Sequence, residues 1–297
     1  QNTYNTSNST VTAIGYQTMQ YLASGSGGSA NNTAVGYQAL NNHYSASNAY
    51  QCTGVGYQTI YSAPSGSDIS NNTAIGYASM NSMSGSTVRQ NVAIGGFTMQ
   101  YLSGSQNTAV GYGAMQYANS TTGRNVAIGA SALNNGKSSN TNGCVAIGYG
   151  ALSDPTGPGI QNIGIGIYSG QYINSGSSNN VLIGANLFSN TATTNTFTGN
   201  TYIGTSAGGV AMVSSSINYN IVIGYRAGMI TSGSSNILIG AGSGSSNGVE
   251  APIVGGNYQL NIGNILYGSN LYNTSSGKIG ILVPTPVNTL DVAGNIL

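Results

Sequence analysis

Few residues in this chain could do chemistry, and their spacing keeps them apart. The carboxylates are Asp68, Asp154, Glu250 and Asp291. Cleavage of a glycosidic bond by the usual acid pair needs two carboxyls ~5–9.5 Å apart. Positions this far apart in the chain meet that need only if the fold, or symmetry between copies, brings them together. The single His43 follows Asn41-Asn42 and reads as a solvated loop residue rather than a base or a ligand. Cys52 and Cys144 are too few for a disulfide framework. No Cys/His metal spacing, phosphate-cradling glycine loop or acidic calcium motif is present. The chain is therefore expected to have no catalytic, cofactor-binding or metal-binding residues, and to be no enzyme.

Charge excludes further classes. Five Lys+Arg oppose four Asp+Glu among 297 residues, and charged residues are only 3%. Nucleic acid needs a basic surface, which is missing. Membrane insertion by a helix needs about 18 consecutive apolar residues, also missing. Yet 39% of residues are hydrophobic, too many for a disordered polar chain. Glu, Lys and Arg are scarce and Gly supplies 46 positions, so helix is disfavoured. Opening on Gln1 rather than Met, the chain reads as processed or as part of a longer product.

What remains is a repeat, roughly Asn-x-Ala-Ile-Gly-Tyr-x-Ala-Leu. Its anchor is Ile or Val followed by Gly, at Gly15, Gly36, Gly56, Gly76, Gly95, Gly111, Gly129, Gly148, Gly166, Gly184, Gly204, Gly224, Gly240, Gly263 and Gly280. These 15 copies recur at a mean period near 19 residues. A β-branched run followed by a Gly/Ser/Asn-rich stretch reads as strand, turn, short strand, turn. Such a unit is too short for a strand plus a helix. The predicted fold is all-β: a parallel β-solenoid or β-roll of about 15 coils, one repeat per coil. At ~4.8 Å per coil the rod would be about 70 Å long.

Strand side chains alternate between faces. The residues one and three before each Gly, with the Tyr that often follows it, are expected to face the coil interior. Thr33, Val35 and Tyr37 are one such set. The opposite face carries the residue two before Gly: Ala34, Ala74, Ala93 and Ala127, then Leu182, Tyr202, Val222 and Leu238. A long apolar stripe does not stay wet. A second copy of the chain, or a second layer of the same chain, is expected to cover it, making it the predicted inter-chain face.

Asn stands four before Gly in ten units: Asn32, Asn72, Asn91, Asn107, Asn125, Asn162, Asn180, Asn200, Asn220 and Asn236. Stacked amides could form a hydrogen-bonded ladder, or each Asn could serve its own turn. Cys52 and Cys144 take this same position and read as small buried substitutes. Asn-x-Ser/Thr sequons at Asn5, Asn8, Asn31, Asn71, Asn119 and Asn273 matter only in a glycosylating cell.

The repeat changes near Asp154–Ile160. Residues 1–153 carry Met, Leu or Ile four after the anchor. Residues 154–248 carry Gly there in Gly170, Gly208, Gly228 and Gly244. In residues 249–297 the period loosens and Tyr258, Tyr267 and Tyr272 appear.

Segments such as Asn91-Val-Ala-Ile-Gly95 and Asn125-Val-Ala-Ile-Gly129 resemble the head repeats of trimeric autotransporter adhesins, which are left-handed parallel β-rolls assembled as trimers. The longer stretch Asn31–Leu40 more closely resembles repeats of phage and other viral tail-fibre proteins. The segment Lys278–Gly294 is similar to the end of many fibre shafts, where an intramolecular chaperone domain follows. The period near 19 is longer than that of adhesin heads, and no heptad stalk is visible. The resemblance implies a structural, receptor-binding viral fibre: a rigid homotrimeric shaft, extracellular on the virion surface. Its implied partners are a host-surface receptor, a glycan among the candidates, and other virion or fibre proteins. The alternatives are a bacterial cell-surface adhesin or extracellular filament subunit, and an ice- or glycan-binding solenoid. The last would need a flat exposed Thr array; Thr33, Thr53, Thr73 and Thr108 come nearest, on the face assigned to the interior.

Overall fold

The computed structural model describes residues 10–20, 31–41, 49–118, 123–134, 141–153, 157–188, 196–208, 217–228, 233–242, 249–252, 255–272 and 276–294. The chain is an all-β parallel solenoid with one coil per repeat, in two compact units, Gln1–Gly157 and Pro158–Leu297. The division falls within the Asp154–Ile160 interruption; Asp154 and Pro155 themselves lie outside the described residues.

The first unit stacks β1 (Val11–Ile14), β2 (Asn32–Val35), β3 (Thr53–Val55), β4 (Thr73–Ile75), β5 (Val92–Ile94), β6 (Thr108–Val110), β7 (Val126–Ile128) and β8 (Val145–Ile147). Each pairs in parallel with the next, so that Thr33 lies beside Thr53, Ala34 beside Gly54 and Val35 beside Val55. The ladder does not stop at the strand ends. Around the turn of one coil, Gly56 N–H donates to Val35 and Gln58 N–H to Tyr37, both at 2.8 Å, while Thr53 and Ile60 donate to the following coil at 2.8 and 3.1 Å. This up-and-down bonding needs residues two and four after the anchor in the left-handed region, as at Gln58 (φ 49°) and Ile60 (φ 45°). An L-residue there costs about 1–2 kcal/mol, which the extra inter-coil hydrogen bonds offset.

Where one anchor stacks on the next it must be glycine; Gly263, at φ +61° with nothing within 4 Å of an added Cβ, is the exception. Gly95 has φ +134°, and a Cβ on it would lie 2.6 Å from the Gly111 carbonyl oxygen. Anchor backbones stack directly on one another, and the coil spacing follows from that approach.

The second unit continues with β9 (Ile163–Ile165), β10 (Val181–Ile183), β11 (Phe197–Thr198), β12 (Thr201–Ile203), β13 (Ile217–Asn218), β14 (Ile221–Ile223), β15 (Ile237–Ile239), β16 (Leu260–Ile262), β17 (Leu266–Ser269), β18 (Lys278–Ile281) and β19 (Leu290–Val292). Strands β9, β10, β12, β14, β15 and β16 stack in parallel. Strands β11 and β13 make a second parallel ladder on another side of the coil. Then the pattern breaks. β17 runs antiparallel to β16 and β18 antiparallel to β17, with β19 parallel to β18. Gly280 therefore anchors no coil; it lies inside β18 opposite Tyr267. The expected fifteenth repeat is a sequence mimic, with Ser276 where most coils carry Asn.

The two strand faces are the reverse of the sequence expectation. Ala34, Ala74, Ala93, Ala127, Leu182, Tyr202, Val222 and Leu238 are all 0% exposed within a single chain. They face the coil interior and are no inter-chain surface. Ile75, Ile94, Ile128, Ile183 and Ile203, one residue on, face out at 36–41% exposure. The reason is volume. In the first unit Leu40, Ile60, Met80, Met99, Met115, Leu133 and Leu152 reach inward from the turn and are buried, leaving room only for Ala or Gly on the strand. In the second unit Gly208 and Gly228 replace them, in the left-handed region at φ 68° and 62°, and the same repeats carry the buried Tyr202 and Val222 on the strand; Gly170 sits in a repeat with Gly164, and Leu182 in one that keeps the buried Phe188. Gly244 lies outside the described residues. Tyr202 packs edge-on against Phe188, centroids 4.8 Å apart, and Phe188 meets Phe197 at the same distance.

Candidate interaction surface

The recurrent Asn points inward with the Ala, as strand alternation requires, and all ten are buried. One residue performs both expected jobs. Asn107 donates its side-chain amide to Asn91 Oδ1 at 3.1 Å, and its own Oδ1 receives Asn125 N–H at 3.0 Å and Asn125 Nδ2 at 3.1 Å. The series Asn162, Asn180, Asn200, Asn220 repeats this. The amides also hold their turns: Asn32 donates to Ala49, Asn72 to Val88, Asn125 to Thr141 and Asn236 to Gly256. The line is therefore an internal strut, and not a ligand site.

Cys52 and Cys144 interrupt it. Their backbone N–H groups donate to Asn32 and Asn125 Oδ1, each at 2.8 Å, but a thiol offers no amide oxygen to the next coil. Neither is in a disulfide and both are buried, and burial pushes the Cys52 thiol up from 9.0 to about 12. Burial also raises the Tyr202 phenol, with the Asn220 amide pulling weakly the other way; its hydroxyl has no hydrogen bond of normal geometry.

The surface groups that sequence reasoning misplaced are the aromatic ones. The residue after each anchor lies outside. Tyr16, Tyr37, Tyr57 and Tyr77 stack in a column with centroids 5.4, 5.1 and 4.9 Å apart and planes within 15°. In the next coil Gly96 takes the Tyr position and Phe97 continues the column edge-on, followed by Tyr112. Beside it runs a glutamine column that sequence reasoning missed: Gln38 donates to Gln17 and Gln58 to Gln38 at 2.7 and 2.8 Å. The signal for it was Gln recurring two after the anchor. A polar corner carries Gln90, Gln106 and Arg124, linked at 3.2 Å each.

Among the described residues the ionisable groups form no larger cluster. Asp68 pairs with Arg89 at 3.3 Å on the surface and accepts Ser70 Oγ at 2.6 Å. Asp291 accepts Val287 N–H in the C-terminal meander. Among the described residues no three His, Cys, Asp or Glu side chains come together. Of the remaining sequence candidates, Asn31 and Asn71 are exposed, while His43, Asn5, Asn8, Asn119 and Asn273 lie outside the described residues. No helix among those residues is long and apolar enough to cross a membrane.

Among the described residues of the first unit, the outward strand positions make a face of Ile, Val and Thr edged by the tyrosine column. No protein-family model matches the chain, and no curated protein or solved structure is similar to it.

Proposed function

We propose that the chain is a structural fibre protein, a stiff homotrimeric segment of a viral tail fibre that serves attachment to a host-surface receptor. The observation that carries this reading is the closed inter-coil ladder. Strands, turns, anchor glycines and the buried amide line all bond coil to coil, so each unit resists bending without a large core. Near-neutral charge suits a surface whose assembly is indifferent to salt. A cell-surface adhesin or filament subunit would use the same construction, and particle-borne against cell-borne location separates the two. Gold-labelled antibody against the full chain should decorate tail appendages of virions, and light scattering of the purified chain should give three copies. A folded monomer with no labelled particle would overturn the reading.

A second reading gains one observation. Thr33, Thr53, Thr73 and Thr108 lie on the outer face, and the first three are in register on consecutive strands. An ordered hydroxyl array of this kind suits ice or a glycan. Absence of thermal hysteresis at millimolar protein would remove the ice version, and a blank glycan array the other.

A further inference from the structure

We infer that the outer face of β1–β8, with its tyrosine column, seats against the same face of further copies of this chain, running parallel and aligned coil for coil. The fibre reading sets the number of copies; the choice of face and direction stands on the structure of the first unit alone.

Size comes first. Ten large apolar or aromatic side chains on this face are 38–63% exposed in the single chain. For side chains of ~150–250 Å² when aromatic, that is roughly 1,000 Å². A typical monomer leaves a largest patch of only ~300–600 Å², and a standard interface takes ~800 Å² from each partner. Chemistry comes second. No charged residue occupies any outward strand position or the position after the anchor in these eight coils. The face therefore complements itself without repulsion, and it offers a charged partner nothing to pair with.

Periodicity selects the occupant. Side chains repeat at each coil, with tyrosine centroids 4.9–5.4 Å apart along the stacked column. A partner of different spacing falls out of step within a few coils, whereas another copy stays commensurate over all eight. Direction follows from the column three before the anchor. It reads Thr12, Thr33, Thr53, Thr73 in the first four coils, then Val92, Thr108, Val126, Val145. Parallel alignment sets Thr against Thr, where hydroxyls can bond across the interface. Antiparallel alignment would press most of the first four hydroxyls against Val. Each hydroxyl buried without a partner is unfavourable.

The test uses the full chain with single cysteines and a short bis-maleimide. The native thiols are buried and serve as the unreactive background. Ile128→Cys should link to itself in most molecules, while Gln106→Cys on the polar corner should not link above background. A mixture of Val35→Cys and Ile128→Cys chains, one mass-tagged, should give no mixed pair, since parallel alignment holds these coils far apart. Mixed pairs would overturn the parallel arrangement. An oligomer by light scattering in which Ile128→Cys stays unlinked would overturn this face and leave the fibre reading standing. A folded monomer that stays single and unlinked at the highest concentration reached would overturn both.

Discussion

Replacing Gly95 by Ala tests whether anchor stacking sets the coil spacing. The new methyl would lie 2.6 Å from Gly111 O, 2.8 Å from Gly111 C and 2.8 Å from Thr98 Oγ1. Comfortable carbon contacts begin near 3.5 Å, so two of the three obstacles are backbone and cannot swing away. The φ of +134° lies in a region that L-residues hardly enter, at about 1–3 kcal/mol. Relief by lifting the coil would break Gly95 N–H to Ile75 and Gly111 N–H to Ile94, both 2.8 Å, at about 1 kcal/mol each. The expected loss is about 3–5 kcal/mol, a large share of the ~5–15 kcal/mol that a domain has. The control is Gly66→Ala in the same unit. Its φ is +77° and nothing lies within 4 Å of the new methyl, so it should lose only about 1–2 kcal/mol. Urea unfolding of both variants, with slopes compared, decides the matter. Equal losses would refute the stacking argument, because conformation alone would then explain both.

Other substitutions probe the interior and the surface separately. Tyr202→Phe removes a fully buried hydroxyl that lacks a normal hydrogen bond and should raise stability by about 1 kcal/mol, read from the unfolding midpoint. Cys52→Asn restores an amide oxygen toward the next coil and should also stabilise by about 1 kcal/mol; a loss would mean that the site cannot hold the larger side chain. Alkaline pH should destabilise the wild type. The Cys52 thiol is raised from 9.0 to about 12 in the fold. Its contribution is therefore intact below pH 9 and is lost as pH climbs toward 12, at up to about 1.4 kcal/mol per unit. Unfolding titrations should show that slope reduced in Cys52→Ala. Finally, Ala127→Asp should unfold the first unit, whereas Ile128→Asp, one residue away, should leave a folded chain by circular dichroism and weaken its self-association by light scattering.

The coil, its period and the glycine anchor were legible because each rests on one backbone constraint that no other residue meets. The Asn position was legible too, as a place that needs an amide. The sign of the faces is set by volume and not by greasiness, so apolarity alone points the wrong way. Ile94 is more apolar than Ala93, yet Ala93 and the bulky Met99 of the same repeat are both fully buried while Ile94 is exposed. The clue lay in the exchange between units, where Gly208 appears with Tyr202 and Met99 with Ala93. Side chains that trade bulk must share a space. The Asn gave the same answer by parity, since Asn91 and Ala93 lie on one side of the strand. An amide that serves turn carbonyls has to point where the coil closes. Gly280 differs for another reason: a two-residue anchor recurs by accident in a chain rich in Ile and Gly, and here Ser276 stands where most coils bury an Asn.

The corrected polarity changes what the repeat can be selected for. With Ala, Met and Asn inside, each coil is complete on its own, and the first unit needs no partner to bury its core. In the proposed assembly the outer columns alone would meet other chains. Ile128 and Tyr112 can vary to tune association while Ala127 and Asn125 hold the fold, because adjacent residues on a strand answer to different neighbours. Such separation suits the proposed fibre, in which each coil would hold its own fold while the outer face meets other copies. A strut whose core lay between chains would lose its fold whenever the chains parted. One whose coils close individually can fold first and associate afterwards. Dilution should therefore take the first unit to folded single chains before any unfolding transition, and a single concentration-dependent transition combining both would show that coil and assembly are one event.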